Sequence, residues 1–181
     1  MEQWRVRLRA LTKSDSTVSW NWRNAHALRD FYAGHPFYIN EEKEQAWFDK
    51  ILTSDIPLSS FGIEQKENNI LIGMSFLKDI NLIHRTAEFA VFIGDEKYTG
   101  KGLAKEATLQ TVAFAFDNLN LHRVYLVVQE DNIRAIELYL KCGFIKEGVL
   151  RESVFKNGKY LNKVIMSILK TEYLKQQKEY E

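Results

Sequence analysis

Apolar and polar positions alternate from the start of the chain. Val6, Leu8 and Ala10 fall on one face of the opening segment and Arg7 and Arg9 on the other, a period of two that predicts a strand from Val6 to Leu11. The period then lengthens. Ser14 or Asp15 is placed to cap a helix through Trp20 and Arg23, and Asn40 followed by Glu41, Glu42 and Lys43 opens another that turns Trp47, Phe48, Ile51 and Leu52 inward. Gly34-His35-Pro36 breaks the chain between them. From Leu58 strands return: Phe61 to Gln65, a polar turn at Glu67-Asn68-Asn69, and Ile70 to Ile80 predict a hairpin, and Thr86 to Ile93 a third strand. Helix and strand then alternate, Gly102 to Asn118, His122 to Gln129, Asn132 to Lys141 and Phe144 to Glu152, which implies a partly parallel sheet with helices on it. Asn157-Gly158, between the strand-like runs Arg151 to Lys156 and Lys159 to Leu169, favours a tight turn and a closing antiparallel hairpin. Tyr173 to Glu181 is charged and weakly apolar, and reads as a frayed end or a short terminal helix.

Composition narrows the classes. The 181 residues fit one domain, 1–181, with 170–181 as a tail. A formal net charge of +1 offers no basic field for nucleic acid and no acidic solvating segment. No apolar run approaches the roughly 20 residues of a membrane helix, and Met1-Glu2-Gln3-Trp4-Arg5 lacks the apolar stretch of a signal peptide. No membrane partner and a cytoplasmic location are the default expectations. The single cysteine, Cys142, cannot form an internal disulfide, and four scattered histidines make no ligand spacing, so no metal is expected.

The chemistry concentrates after the third strand, in Thr99-Gly100-Lys101-Gly102-Leu103-Ala104. Glycines at 100 and 102 leave the backbone uncovered just before a helix, so several amide N–H groups and the positive helix end can face an anion such as a pyrophosphate. Such a pair also serves simply as a tight turn. The spacing is that of neither a Walker loop nor a dinucleotide fingerprint. Further on, Asn132 is placed to cap a helix whose Ala135, Ile136 and Leu138 pack inward, and Gly143 to end it. Capping leaves Tyr139 unexplained: a hydroxyl-bearing aromatic near the end of an apolar face, or a buried tyrosine with one hydrogen bond.

These two segments resemble the motifs of the GNAT superfamily of acyl-CoA-dependent N-acyltransferases. Residues 99–104 look like its Gln/Arg-x-x-Gly-x-Gly/Ala loop, with Thr99 where Gln or Arg is usual, and Asn132 through Phe144 look like its Asn-x-x-Ala-x-x-Leu-Tyr-x-x-x-Gly-Phe segment. The resemblance implies one α/β (α+β) domain, a mixed and mostly antiparallel sheet of about seven strands flanked by helices, with a parallel pair splayed around the cofactor. It implies acetyl-CoA as cosubstrate. Backbone amides of Gly100, Lys101, Gly102, Leu103 and Ala104 would take the pyrophosphate, with Thr99 heading the loop. Val91, Phe92 and Ile93 would pair with the pantetheine arm and leave an N–H for the thioester oxygen, Asn132 would contact the cofactor, and Tyr139 would sit beside its sulfur. An amide aimed at developing negative charge and a phenol beside a leaving thiolate are both chemically apt.

The acceptor amine must lose a proton, because an alkylammonium with a pKa near 10 is only about 0.1% neutral at pH 7. Glu88, flanked by Ala87 and Phe89 on the third strand, is the candidate base, since apolar surroundings of that kind suit a carboxylate to the work, with a structural or substrate-positioning carboxylate as the other reading. His84 in the preceding loop competes with it. Glu41, Glu42, Glu44 and Asp49 either line a site for a cation or form a solvated helix start. Residues 83–89, 119–126 and 155–160 are similar to bacterial spermidine/diamine N-acetyltransferases, which implies a polyamine acceptor. Trp20-Asn21-Trp22-Arg23-Asn24 and Glu42 to Phe48 look instead like the branch acting on ribosomal-protein N-termini and amino sugars, and Gly34-His35 replaces the acidic pair that precedes the proline in the polyamine enzymes. The polyamine branch forms larger rings, which leaves a homo-oligomer open. A non-catalytic acyl-CoA-binding module is the alternative of another class, since a fold licenses no activity by itself.

Overall fold

The computed structural model describes residues 4–25, 28–29, 38–53 and 60–179. The expected break at Gly34-His35-Pro36 and the change of pattern at Leu58 lie outside them. The elements in chain order are β1 (Val6–Ala10), α1 (Asp15–Asn24), α2 (Glu41–Leu52), β2 (Ser60–Gln65), β3 (Ile70–Asn81), β4 (Thr86–Ile93), α3 (Leu103–Ala113), β5 (Arg123–Gln129), α4 (Ile133–Lys141), β6 (Ile145–Lys156), β7 (Lys159–Leu169) and α5 (Lys170–Glu179). Seven strands are hydrogen-bonded in the order β1-β2-β3-β4-β5-β7-β6. β1–β2, β2–β3, β5–β7 and β6–β7 are antiparallel and β4–β5 is parallel, so the expected mixed sheet is present.

The chain divides into two compact units, Met1–Phe76 with Val91–Ala107, and Leu77–Ala90 with Thr108–Glu181. In the first, the apolar side of β1 and β2 meets the start of α3: Val6, Ile63, Ile72, Leu103 and Ala107 are buried together, with Leu8, Val91, Ile93 and Tyr98 packed around them. The helices are held by polar groups. Asp15 accepts the Thr12 amide at 2.8 Å and both Arg9 Nη atoms at 2.8 and 2.9 Å, so it anchors the entry to α1, whereas Ser14 makes no capping bond. Burial pushes the Asp15 carboxyl up, but the bonds from Arg9 and Thr12 outweigh it and hold it below the usual range. Asn40 caps α2 as expected, its Oδ1 accepting the Lys43 amide at 3.0 Å. On α2, Phe48 is buried while Trp47, Ile51 and Leu52 are half-buried.

In the second unit β4, β5 and β7 bury alternate residues, among them Ala87, Phe89, Val124, Leu126, Val128, Val164, Met166 and Ile168. Two expectations change, and the tail takes the second of its two readings. The helix from residue 102 is regular only to Ala113 and widens to a π-helical turn over Phe114–Asn118. The runs read as two strands around residues 151–152 are one strand, β6, with irregular register between Lys146 and Gly148 and between Leu150 and Val154, where Glu152 takes φ 49°. The tail is helical from Lys170, because Tyr173 buries its ring 5.1 Å from that of Phe116 and donates to Asp117 Oδ2 at 2.8 Å. The closing turn is as expected, with both Asn157 and Gly158 at positive φ.

Candidate active site

The first unit carries the glycine loop. Beyond β4, Asp95 Oδ1 accepts the Lys97 amide at 2.9 Å and starts a 3₁₀ turn over Glu96–Tyr98. Thr99 closes it, with its amide and its hydroxyl on the Glu96 carbonyl at 3.1 and 2.9 Å. Its side chain therefore braces the turn, and does not extend as the long residue of the resembled motif could. Gly100 and Gly102 follow with φ of 73° and 80°, and α3 begins at once on buried Leu103. The first amides of a helix have no intrahelical acceptor and sit at the positive end of its dipole.

Arg5, which carries no local sequence signal, fixes the direction of this loop. Its Nη2 donates to the Lys101 carbonyl at 2.8 Å, while its Nε and its own amide meet the two Glu106 carboxylate oxygens at 2.6 and 2.7 Å. Across a trans peptide the Lys101 carbonyl and the Gly102 N–H point in opposite directions, so the N–H faces away from Arg5. A Cβ on Gly102 would stand 3.3 Å from Arg5 Nη2. Bare backbone, helix N-terminus and the exposed Lys101 together suit a pyrophosphate. Ahead of the loop, Val91 and Ile93 turn their side chains into the unit's core, and Phe92 stacks on Phe76 and meets Trp22 edge-on, both at 6.2 Å between centroids. What these three residues can offer a ligand is their backbone. Gly94 is required beside them, since a Cβ there would overlap the Trp22 ring.

The second unit carries Asn132, Tyr139 and Glu88. Asn132 Oδ1 caps α4 by accepting the Ala135 amide at 3.2 Å, which leaves its NH2 as the donor end. Tyr139, only 8% exposed, packs edge-on to Phe89 at 6.2 Å and against Phe144 at 5.8 Å. Among the described residues none hydrogen-bonds its hydroxyl, in contrast to Tyr173. Burial, reinforced by Cys142, pushes the phenol well above its ordinary value, so it is a proton donor that stays protonated.

Glu88 does not lie in the apolar surroundings its sequence neighbours suggested. Strand alternation sends buried Ala87 and Phe89 to one side of β4 and Glu88 to the other, where its side chain is 27% exposed and 3.4 Å from Lys78 Nζ. Tyr125 is registered opposite it on β5, and burial, with help from the Glu88 and Asp79 charges, raises that phenol too. His84 is exposed in the β3–β4 turn.

Of the acidic residues on α2, Glu42 and Asp49 are exposed, as a solvated run would be, and Glu44 departs from that reading. Glu44 is fully buried, accepting from Ser19 Oγ at 2.5 Å and Arg23 Nη1 at 2.7 Å, and Asp49 pairs with Lys13 at 3.2 Å. Ser19 and Arg23 are one helical turn apart on α1, a spacing visible in the sequence, but their partner lies on another element. Among the described residues no cluster of His, Cys, Asp and Glu could hold a metal ion, and no helix is long and apolar enough to cross a membrane.

The family profile of the acetyltransferase (GNAT) domain matches residues 5–145. The spermidine N(1)-acetyltransferase of Vibrio cholerae is 36% identical over 167 residues, 92% of this chain and 94% of that one. The crystal structure of spermidine N-acetyltransferase from Vibrio cholerae in complex with CoA and spermine is similar at a TM-score of 0.85 and 32% identity, covering 94% of this chain and 98% of that one. A dodecameric structure of the Vibrio cholerae enzyme is similar at a TM-score of 0.79 and 32% identity, covering 95% and 98%.

Proposed function

The chain belongs to the GNAT acetyltransferase family, and from that premise we propose that it transfers an acetyl group from acetyl-CoA to a primary amine of a polyamine such as spermidine. The observation that carries this reading is similarity to spermidine N-acetyltransferases along more than nine-tenths of the chain. We take the whole chain, 1–181, as one acetyltransferase domain working in the cytoplasm. Membership of an enzyme family removes the reason to keep a non-catalytic module in play.

Acetyl-CoA supplies an activated acyl carbon and a thiolate leaving group. In the proposed division of labour the amides of residues 100–104 hold the pyrophosphate and the backbone of Val91–Ile93 aligns the pantetheine arm, with one N–H stabilising charge on the acyl oxygen. Asn132 donates to the cosubstrate from its free amide end. Glu88 receives the acceptor ammonium and takes one proton, which frees the lone pair that then forms the C–N bond; Tyr139 gives a proton to the sulfur as the C–S bond breaks, and the second proton leaving the nitrogen replaces it.

Purified protein, acetyl-CoA and a thiol-release assay against spermidine, spermine, amino sugars and peptides with free N-termini test the acceptor. Spermidine and spermine are expected to be the best substrates; inert polyamines beside a peptide or sugar that turns over would sink the reading. The dodecameric relative extends it to self-association. The edge strand β6 leaves Ile145, Val149, Leu150 and Phe155 exposed, apolar groups along an edge that another copy would cover. Light scattering on the same preparation should give a mass of several chains, and a monomer at micromolar concentration ends that extension.

A further inference from the structure

The cation already on Glu88 belongs to the chain itself. Lys78 on β3 brings Nζ to 3.4 Å from Glu88 Oε1, and both side chains reach solvent, 46% and 27% exposed. The other charged groups on these strands are differently engaged. Arg123 lies over the Tyr125 ring at 5.1 Å and is ion-paired with Glu147, whose second oxygen accepts from Ser167 Oγ at 2.6 Å. Asp79, next to Lys78, adds a second negative charge close enough to act on Tyr125.

We propose that Lys78 is a positioning residue that acts through Glu88: its ammonium is the resident cation on that carboxylate, and an acceptor amine reaches Glu88 by displacing it. The inference rests on the reading above, in which Glu88 receives the acceptor. An ion pair this exposed is weak, so releasing Lys78 into water is easy. Keeping it in place is disfavoured, because two ammonium groups within about 4 Å of each other at one carboxylate repel. The long, flexible lysine stem allows the exchange without movement of the backbone, and return of Lys78 after turnover competes with rebinding of a cationic amine. Lys78 therefore sets the apparent affinity for cationic acceptors and leaves both the chemical step and the affinity for acetyl-CoA alone.

The test uses methylammonium, a bare cation, titrated into CoA-loaded protein while the Glu88 carboxyl carbon is followed by NMR. Lys78→Met, which keeps the stem and removes the charge, should tighten the apparent affinity up to about fivefold, the factor an exposed pair can supply. Lys78→Arg should leave it near the wild-type value. In a Glu88→Gln background, where amide signals report binding, the Lys78→Met change should lose its effect. With spermidine as substrate, KM for the amine should fall in Lys78→Met at unchanged kcat and unchanged KM for acetyl-CoA. Methylammonium affinity that is unchanged or weaker in Lys78→Met, or tightened equally with Glu88→Gln, overturns the assignment. The acceptor reading is scored separately by wild-type turnover of spermidine: displacement by methylammonium with no spermidine turnover removes the polyamine and keeps Lys78, and turnover with no Lys78 effect does the reverse.

Discussion

Tyr139→Phe is expected to lower kcat by about 10²-fold, at the low end of what a positioned proton donor contributes, while acetyl-CoA binds as before. The substitution isolates the hydroxyl. Phe keeps the ring that meets Phe89 and Phe144 at 6.2 and 5.8 Å, and the oxygen it removes has no hydrogen-bond partner among the described residues. Stability should change little for the same reason. Because burial raises the phenol above its ordinary value, the donor form is present throughout the physiological range, and the group adds no alkaline limb of its own below about pH 10. The same shift limits what it can do. Full transfer to a thiolate, with a pKa near 8.5, is uphill by at least about 2 kcal/mol taken alone, so the phenol gives up its proton only as the second proton leaving the amine nitrogen replaces it. Single-turnover rates and acetyl-CoA titrations on both proteins check this; an unchanged rate removes Tyr139 as the donor.

Elements bounded by their own residues were legible in the sequence. The period of two from Thr86 to Ile93 matches β4 residue for residue, Asn132 caps α4, and Asn157-Gly158 turns β6 into β7. Contacts that depend on a distant partner were not. Arg5 and Glu106 are 101 residues apart, and nothing near either predicts that together they orient the Lys101 carbonyl beneath the glycine loop. Glu44 carries no local sign that it is buried with Ser19 and Arg23, since a carboxylate at a helix start is ordinarily solvated. Glu88 shows a different limit. Its sequence neighbours are apolar, but in a strand the neighbours of a residue lie on the opposite face, so Ala87 and Phe89 describe the side of β4 that Glu88 does not occupy.

That placement sharpens what Glu88→Gln should do. A half-buried carboxylate that reaches solvent beside Lys78 and Tyr125 can meet a solvated ammonium, which one enclosed by Ala87 and Phe89 could not. Gln keeps the shape and accepts a hydrogen bond but cannot take a proton, so the variant must wait for amine that is already neutral. That fraction is about 0.1% at neutral pH and rises tenfold with each pH unit until the amine's own pKa is reached. With the carboxylate present the bound ammonium hands over that proton before attack, so kcat/KM does not depend on how much neutral amine is in solution and stays flat across the neutral range. The ratio of wild-type to variant kcat/KM should therefore be largest in acid, about 10²-fold at neutral pH, and shrink by about tenfold per unit toward pH 9. A ratio independent of pH would assign Glu88 to holding the ammonium and leave its deprotonation to solvent, because the loss of a charge–charge contact does not depend on how much neutral amine is available.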